Sequence, residues 1–261
     1  MRVNLIAFLQ FLCNLSPDAF DRVAEPILAM LLKIVELDSL PGRAWCLLNG
    51  GADIWPPYFT IMSLVGRKRQ CAPYTLGLLM AATTAAAEPK FPLDFFTEYL
   101  DLLSAFVGSC QAVASLASST TTNSKTVSSD VMPAVSPVDM AKTAIKRLCD
   151  LEAAMSKLEG IATFQPFSLP IHAAIAMQCG HHSSRDIRQH ALMSLQRLVM
   201  SRPWRSGADL NVEFDSVLFT LLDELQSDAM VKLNGTVEDT QMAAASFVTK
   251  VFLNNLPLLQ Q

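Results

Sequence analysis

The sequence predicts an all-α fold arranged as an α-solenoid, in which pairs of helices stack on one another. Three observations support this fold class. Apolar residues recur with helical period through almost the whole chain, and no long stretch alternates as a strand would. Most of the predicted helices are about 12–22 residues long, and they are joined by short turns, as in helical repeats. One of them, near the C-terminus, also has the residue pattern of a repeat unit.

The helix with the repeat pattern covers residues 185–199. Apolar residues lie on one of its faces at spacings of three and four, beginning at Ile187. Arg188 points into the same face, where a charge is costly unless it is paired. Asp186, in the first turn, suits the role of its partner. The signature of a HEAT/armadillo-like repeat therefore consists of Asp186, Arg188, Ala191, Leu192 and Leu195.

The part of the chain before residue 118 is predicted to form helices at 3–14, 17–37, 43–50, 56–65, 73–88 and 93–117. Gly50-Gly51 and Pro56-Pro57 are typical of the loops between them. Pro26 falls inside the second helix, so this helix is expected to kink or restart there.

A Ser/Thr-rich segment at residues 118–135 divides the chain. Ser118 to Ser129 offer almost no side chain whose burial could offset the entropy lost on ordering, so the segment is predicted to be a flexible linker. The predicted organisation is an N-terminal helical-repeat block at 1–117, the linker, and a C-terminal HEAT-like block at 136–261.

The C-terminal block begins with a clear helix start. Ser136 is the predicted N-cap, Pro137 occupies the first helical position and Asp139 lies in the first turn. This helix is expected to end at about Glu159, before Gly160. The later helices are predicted at 167–180, 184–201, 209–228 and 237–256.

Composition excludes several classes of protein. The chain is 51% hydrophobic and 17% charged with a net charge of −4, which argues against global disorder and against a nucleic-acid partner. Its six cysteines form no Cys-x-x-Cys pair, and this pattern of cysteine use is typical of proteins in a reducing compartment.

The apolar N-terminus is interrupted by Asn4 and Gln10 and lacks a small-x-small cleavage site, so we interpret it as a core helix rather than a signal peptide.

Residues with catalytic or ligand-binding chemistry are sparse. His181 and His182, near Cys179, are the only metal candidates, but adjacent residues on a turn cannot both face one ion easily and no third ligand has a standard spacing. Nucleophile-elbow, P-loop and dinucleotide motifs are missing. The sequence therefore predicts no catalytic residue, no cofactor, no metal and no small-molecule substrate.

Three blocks in the C-terminal half follow one another in a characteristic order. The first block runs from Arg188 to Arg197 and the second from Val217 to Leu225. The third block begins with Val237 to Met242 and continues to Thr249–Leu253. In this order, residues 183–259 resemble the downstream helical region of the large Arf guanine-nucleotide exchange factors of the Golgi brefeldin A-resistance class, whose plant relatives include GNOM. Upstream, the resemblance rests on Trp45 and on the residues from Phe95 to Leu103.

The resemblance implies that the chain is a non-catalytic scaffold or regulatory segment of such a factor. It also implies that the chain is cytoplasmic and binds peripherally to Golgi membranes. Its implied partners are Arf-pathway proteins and other segments of the same factor. The catalytic domain of the family carries a glutamate after Leu-Pro-Gly, whereas Leu40-Pro41-Gly42 is followed here by Arg43. The chain is therefore expected to lack exchange activity and to be either a C-terminal fragment or a truncated gene model of a longer protein. Two alternatives stay open: an autonomous solenoid adaptor unrelated to Arf, and an enzyme with an unrecognised site.

Overall fold

The chain, represented by a computed structural model, divides into two compact units, Met1–Arg147 and Leu148–Gln261. The structure describes residues 2–37, 52–65, 71–86, 95–119, 136–158, 165–181, 184–204, 206–226 and 237–260. Helices are the regular elements throughout these ranges, which contain no β-strand. The predicted all-α fold is therefore confirmed. None of the described helices is both long enough and apolar enough to cross a bilayer.

Within the described ranges, the first unit contains five complete helices and the first part of a sixth. The complete helices are α1 (Arg2–Cys13), α2 (Pro17–Leu37), α3 (Trp55–Val65), α4 (Ala72–Ala86) and α5 (Phe96–Ser119), with a short 3₁₀ turn at Ala52–Ile54 before α3. Helix α1 packs on α3, α2 packs on α4, and α3, α4 and α5 contact one another. Aromatic rings join α3 to α5, since the ring of Phe59 lies 6.3 Å from that of Tyr99. The predicted helix at 43–50 lies outside the described residues.

Helix α2 runs through Pro26 without a restart, so that half of the expectation is wrong, and a kink at Pro26 stays a prediction. Pro26 is exposed, so the backbone hydrogen bond that proline cannot donate is lost on the solvent side. The opposite face is buried through Ala24, Leu28 and Leu31, and this burial keeps the helix continuous.

The predicted linker lies mostly outside the described residues. Helix α5 continues to Ser119, two residues into it, and residues 120–135 are not among those described. The boundary between the compact units falls inside helix α6 (Pro137–Leu158). The division into 1–117, 118–135 and 136–261 therefore stays a prediction.

Helix α6 begins as the sequence predicts. The backbone N–H of Val138 donates to Ser136 Oγ over 3.3 Å, and the N–H of Met140 donates to the Ser136 carbonyl over 3.0 Å. Ser136 is thus the N-cap, and Pro137 occupies the first position, where a missing N–H costs nothing.

The second unit continues with α7 (Gln165–His181), α8 (Arg185–Ser201), α9 (Gly207–Glu213), α10 (Phe219–Gln226), α11 (Glu238–Asn254) and α12 (Leu256–Leu259). Helix α7 packs on α8 and α10, and α11 packs on α8 and α10. The predicted single helix at 209–228 is present as far as Gln226, but it starts at Gly207 and contains a π-helical turn at Phe214–Leu218; residues 227 and 228 lie outside the described residues. This wider turn buries Phe214, Val217 and Leu218 together.

The short helix α12 lies against the start of α9, where Gly207 leaves room for it. A methyl group at Gly207 would overlap the carbonyl oxygen of Leu258, which belongs to the backbone and cannot rotate away. We expect Gly207→Ala to lower the free energy of unfolding by about 1–3 kcal/mol. Hydrogen exchange should show faster exchange at 256–259.

Gly108 in α5 provides the matched control. A methyl group there would meet no atom within 4 Å. Gly108→Ala should therefore raise stability by about 0.4–1 kcal/mol, because alanine lowers the entropy of the unfolded chain. Equal effects of the two substitutions would contradict the proposed contact between α9 and α12.

Candidate functional site

The repeat-signature helix α8 is buried along the face that the sequence indicates. Ile187, Ala191 and Leu195 are each 0% exposed, and Leu192 is 5% exposed. Arg188 lies among them and is also 0% exposed, so its predicted burial is confirmed. Burial lowers the pKa of Arg188, and the nearby positive charge of Arg185 lowers it further.

Polar contacts connect the start of α8 to the start of α11. Arg188 Nε donates to the hydroxyl of the buried Thr240 over 3.5 Å, and Arg185 forms an ion pair with Asp239. The hydroxyl partner is a feature that the sequence pattern did not indicate. Asp186 is exposed in the first turn of α8, and its pairing with Arg188 stays a prediction. The role of the five signature residues as a repeat motif likewise stays a prediction.

A buried cluster of three ionisable side chains joins α6, α7 and α9. His172 on α7 lies between two glutamates: its Nε2 is 2.9 Å from Glu152 Oε1 on α6, and its Nδ1 is 2.6 Å from Glu213 Oε1 at the end of α9. The exposed fractions of His172, Glu152 and Glu213 are 0%, 6% and 1%. The second oxygen of Glu152 is buried and has no hydrogen-bond partner within the described ranges.

The two carboxylates hold His172 in its protonated form. Burial by itself lowers the pKa of the imidazole, but the hydrogen bonds and negative charges of Glu152 and Glu213 outweigh it and raise the pKa to about 9. A protonated ring donates from both nitrogens, which matches one carboxylate at each nitrogen. We refer to these three residues as the His172 cluster.

The raised pKa predicts a pH dependence of stability. The folded protein binds the His172 proton more tightly than the unfolded chain, whose histidine titrates near 6.5. The stabilisation is therefore complete below about pH 6.5 and is lost as the pH rises towards about 9, a change of about 3 kcal/mol. Urea denaturation at a series of pH values should show this decline in the wild type.

The matched control for this pH series is His172→Gln/Glu152→Gln/Glu213→Gln, which retains three polar side chains of which none can titrate; His172→Gln alone would leave two facing buried carboxylates whose pKa values rise. Its stability should change little between pH 6.5 and 9. A parallel decline in both proteins would show that His172 is not the titrating group.

The geometry of the His172 cluster favours a structural role over catalysis. A histidine between two carboxylates contains the groups of acid–base catalysis, yet a general base must reach a substrate proton. Both ring nitrogens are already within hydrogen-bond distance of a carboxylate, and all three side chains are enclosed.

The described residues include no group of three side chains placed to bind a metal ion. His182 and the side chain of His181 lie outside the described residues.

The outward side of α11 presents an uncharged strip to solvent, with an apolar side chain at each end and two hydroxyl side chains between them. Met242, Ser246, Thr249 and Leu253 lie at spacings of four, three and four, and all four are exposed. Met242 is 67% exposed and Leu253 is 60% exposed, and the strip itself contains no charge. We call these four residues the α11 outer face. Surfaces of this kind are typical of contacts between helices.

The α11 outer face continues towards an aromatic group. Phe252, beside Leu253, is 45% exposed, and its ring lies 6.3 Å from that of Phe214 in the π-helical turn. Phe219, which is 47% exposed, stacks on Phe214 at 5.4 Å. Half-exposed aromatic rings add contact area at low entropic cost, so they extend a protein-interaction surface.

Comparison with known proteins finds a match in the second unit. Residues 168–261 match the model of the family described as "GBF1-like, tetratrico peptide repeat region". No curated protein and no solved structure matches the chain. The match covers residues 183–259 and confirms the resemblance that was based on them. The matched family is a tetratricopeptide repeat, whereas the sequence pattern indicated a HEAT/armadillo-like repeat. Both kinds of repeat consist of stacked helix pairs, so the helical-repeat class is confirmed.

Proposed function

We propose, from the match of residues 168–261 to the GBF1-like repeat region, that the chain is a non-catalytic scaffold and regulatory segment of an Arf guanine-nucleotide exchange factor. The factor acts in Golgi vesicle-mediated transport. The chain is then a cytoplasmic protein that associates peripherally with Golgi membranes. Its partners are Arf-pathway proteins and other segments of the same factor. The family match is the observation that carries this proposal.

The surface chemistry of the second unit supports a scaffold role. The α11 outer face offers an uncharged helix surface with two exposed apolar side chains, Met242 and Leu253, on which a further helix can stack. Behind it, the contacts of Arg188 with Thr240 and of Arg185 with Asp239 fix α11 on α8. A surface held in this way is preorganised for a protein partner, because little conformational entropy remains to be lost on binding.

Titration of the purified chain against the other segments of a GBF1-like exchange factor tests the proposal. We expect one of these segments to bind. A Met242→Glu/Leu253→Glu variant should bind at least about tenfold more weakly, because the interface would bury two unpaired charges.

The matched control places the same charges on the first unit. Phe11→Glu/Met30→Glu changes two residues that are 60% and 42% exposed, and it should leave the affinity unchanged. If no segment of the factor binds and the tagged chain does not co-localise with Golgi membranes in cells, the chain is an adaptor unrelated to Arf and the proposal is wrong.

A further inference from the structure

A solvent-open groove in the first unit runs between α3 and α5, outside the residues that match the repeat family. Its volume is about 420 Å³. Phe59 and Leu64 line it from α3, and Leu102 and Ala105 line it from α5. Phe59 is 1% exposed and forms part of the floor, whereas Leu64 is 49% exposed and forms part of the rim. The groove therefore combines an apolar floor with an exposed apolar rim, as in grooves that bind a helix.

The groove extends inward and along α5. A second cavity of about 50 Å³, lined by residues of α3, α4 and α5, shares Ser63, Leu102 and Ala105 with it. One turn beyond Ala105, a methyl group on Gly108 would meet no atom within 4 Å, so the surface of α5 is open there as well. A helix laid along this surface can approach the backbone of α5 closely.

The charged side chains that the described residues contribute to the lining of the groove are both carboxylates. Glu98 and Asp101, both exposed and one helical turn apart, line it from α5. The sequences of α3, α4 and α5 contain no lysine, arginine or histidine, and these two carboxylates are their only charged side chains. Within the part of the chain that the structure describes, neither carboxylate forms an ion pair. An apolar floor beside such carboxylates is complementary to an apolar side chain beside a cation.

We propose that this groove binds a basic amphipathic helix of a partner protein. Apolar side chains of the partner helix pack between Leu64 and Leu102, and lysine or arginine side chains on its edge pair with Glu98 and Asp101. The groove lies in the first unit, so this binding is independent of the proposed role in an Arf exchange factor.

Fluorescence anisotropy with the full chain tests the proposal. The probe is a labelled peptide of about 18 residues, long enough to form a helix, with leucines on one face and lysines along its edge. A second peptide carries glutamate in place of every lysine, and a third carries serine in place of every leucine. We expect the first peptide to bind and the other two to bind at least about tenfold more weakly.

Three variants locate the binding. Glu98→Gln/Asp101→Asn should weaken binding of the basic peptide about three- to tenfold, as the loss of two exposed ion pairs implies. Asp18→Asn/Glu25→Gln on α2 removes the same charge from exposed positions and should have no effect. Ala105→Trp, which fills the groove from an exposed helix position, should abolish binding while circular dichroism shows an unchanged helix content. Absence of binding to the wild type, or equal binding by all variants, would overturn the proposal.

Discussion

Replacing His172 with alanine is expected to lower the free energy of unfolding of the second unit by about 3–5 kcal/mol. The substitution leaves Glu152 and Glu213 buried without the imidazolium that lies between them at 2.9 and 2.6 Å. Two buried carboxylates that face each other repel, and their desolvation is no longer compensated. Urea denaturation, followed by hydrogen exchange in α6, α7 and α9, measures the loss.

Two comparisons separate the charge effect from lost packing. Met177→Ala on the same helix removes a side chain that is 53% exposed, so it should change stability by less than about 0.5 kcal/mol. Combining His172→Ala with Glu152→Gln and Glu213→Gln should recover part of the loss, because no buried charge then remains unpaired. A small effect of His172→Ala alone would contradict the assignment of the His172 cluster as a support of the fold.

Replacing Arg188 with alanine is the second substitution with a large expected effect, about 2–4 kcal/mol. Arg188 is fully buried on α8 and donates to Thr240 on α11. Its removal leaves a cavity between these helices and leaves the buried hydroxyl of Thr240 without that donor. The midpoint of thermal unfolding should fall markedly, and the amides at the start of α11 should exchange faster.

Arg197, on the same helix, is the control for Arg188. It is exposed, and burial raises the pKa of the nearby Cys149 thiol, a rise that Ser194 and Arg197 partly offset. Arg197→Ala should cost less than about 0.5 kcal/mol, in line with other surface substitutions. Equal, small shifts for both arginines would show that Arg188 does not support the fold.

The helices and the burial of Arg188 could be predicted because their signals are local. A helical period identifies the buried face of α8 within a few turns, and Ser136-Pro137 identifies the start of α6 within two residues. The same period cannot show the π-helical turn at Phe214–Leu218, since a single wider turn leaves the apolar pattern almost unchanged.

The His172 cluster could not be predicted because its members come from three helices. His172 is 20 residues from Glu152 and 41 residues from Glu213 along the chain, so only the tertiary packing brings them together. The one local signal is weak: His172 follows Ile171 in an otherwise apolar stretch, and Glu213 lies between Val212 and Phe214. A polar residue at a core position predicts a buried partner but does not identify it.

The groove of the first unit has a similar explanation. Glu98 and Asp101 have the spacing of an ordinary solvated helix face, and Leu64 has that of a core residue. Only the packing of α3 against α5 places these side chains around one opening.

Release of a fluorescent nucleotide from an Arf GTPase tests the central claim most directly. The assay compares the GTPase alone, with this chain, with the catalytic segment of a GBF1-like exchange factor, and with both proteins. We expect no acceleration by the chain alone, and a changed rate when the chain is added to the catalytic segment, with the change lost in Met242→Glu/Leu253→Glu. Acceleration by the chain alone would contradict its non-catalytic role, and an unchanged rate in the combined sample would contradict a regulatory one.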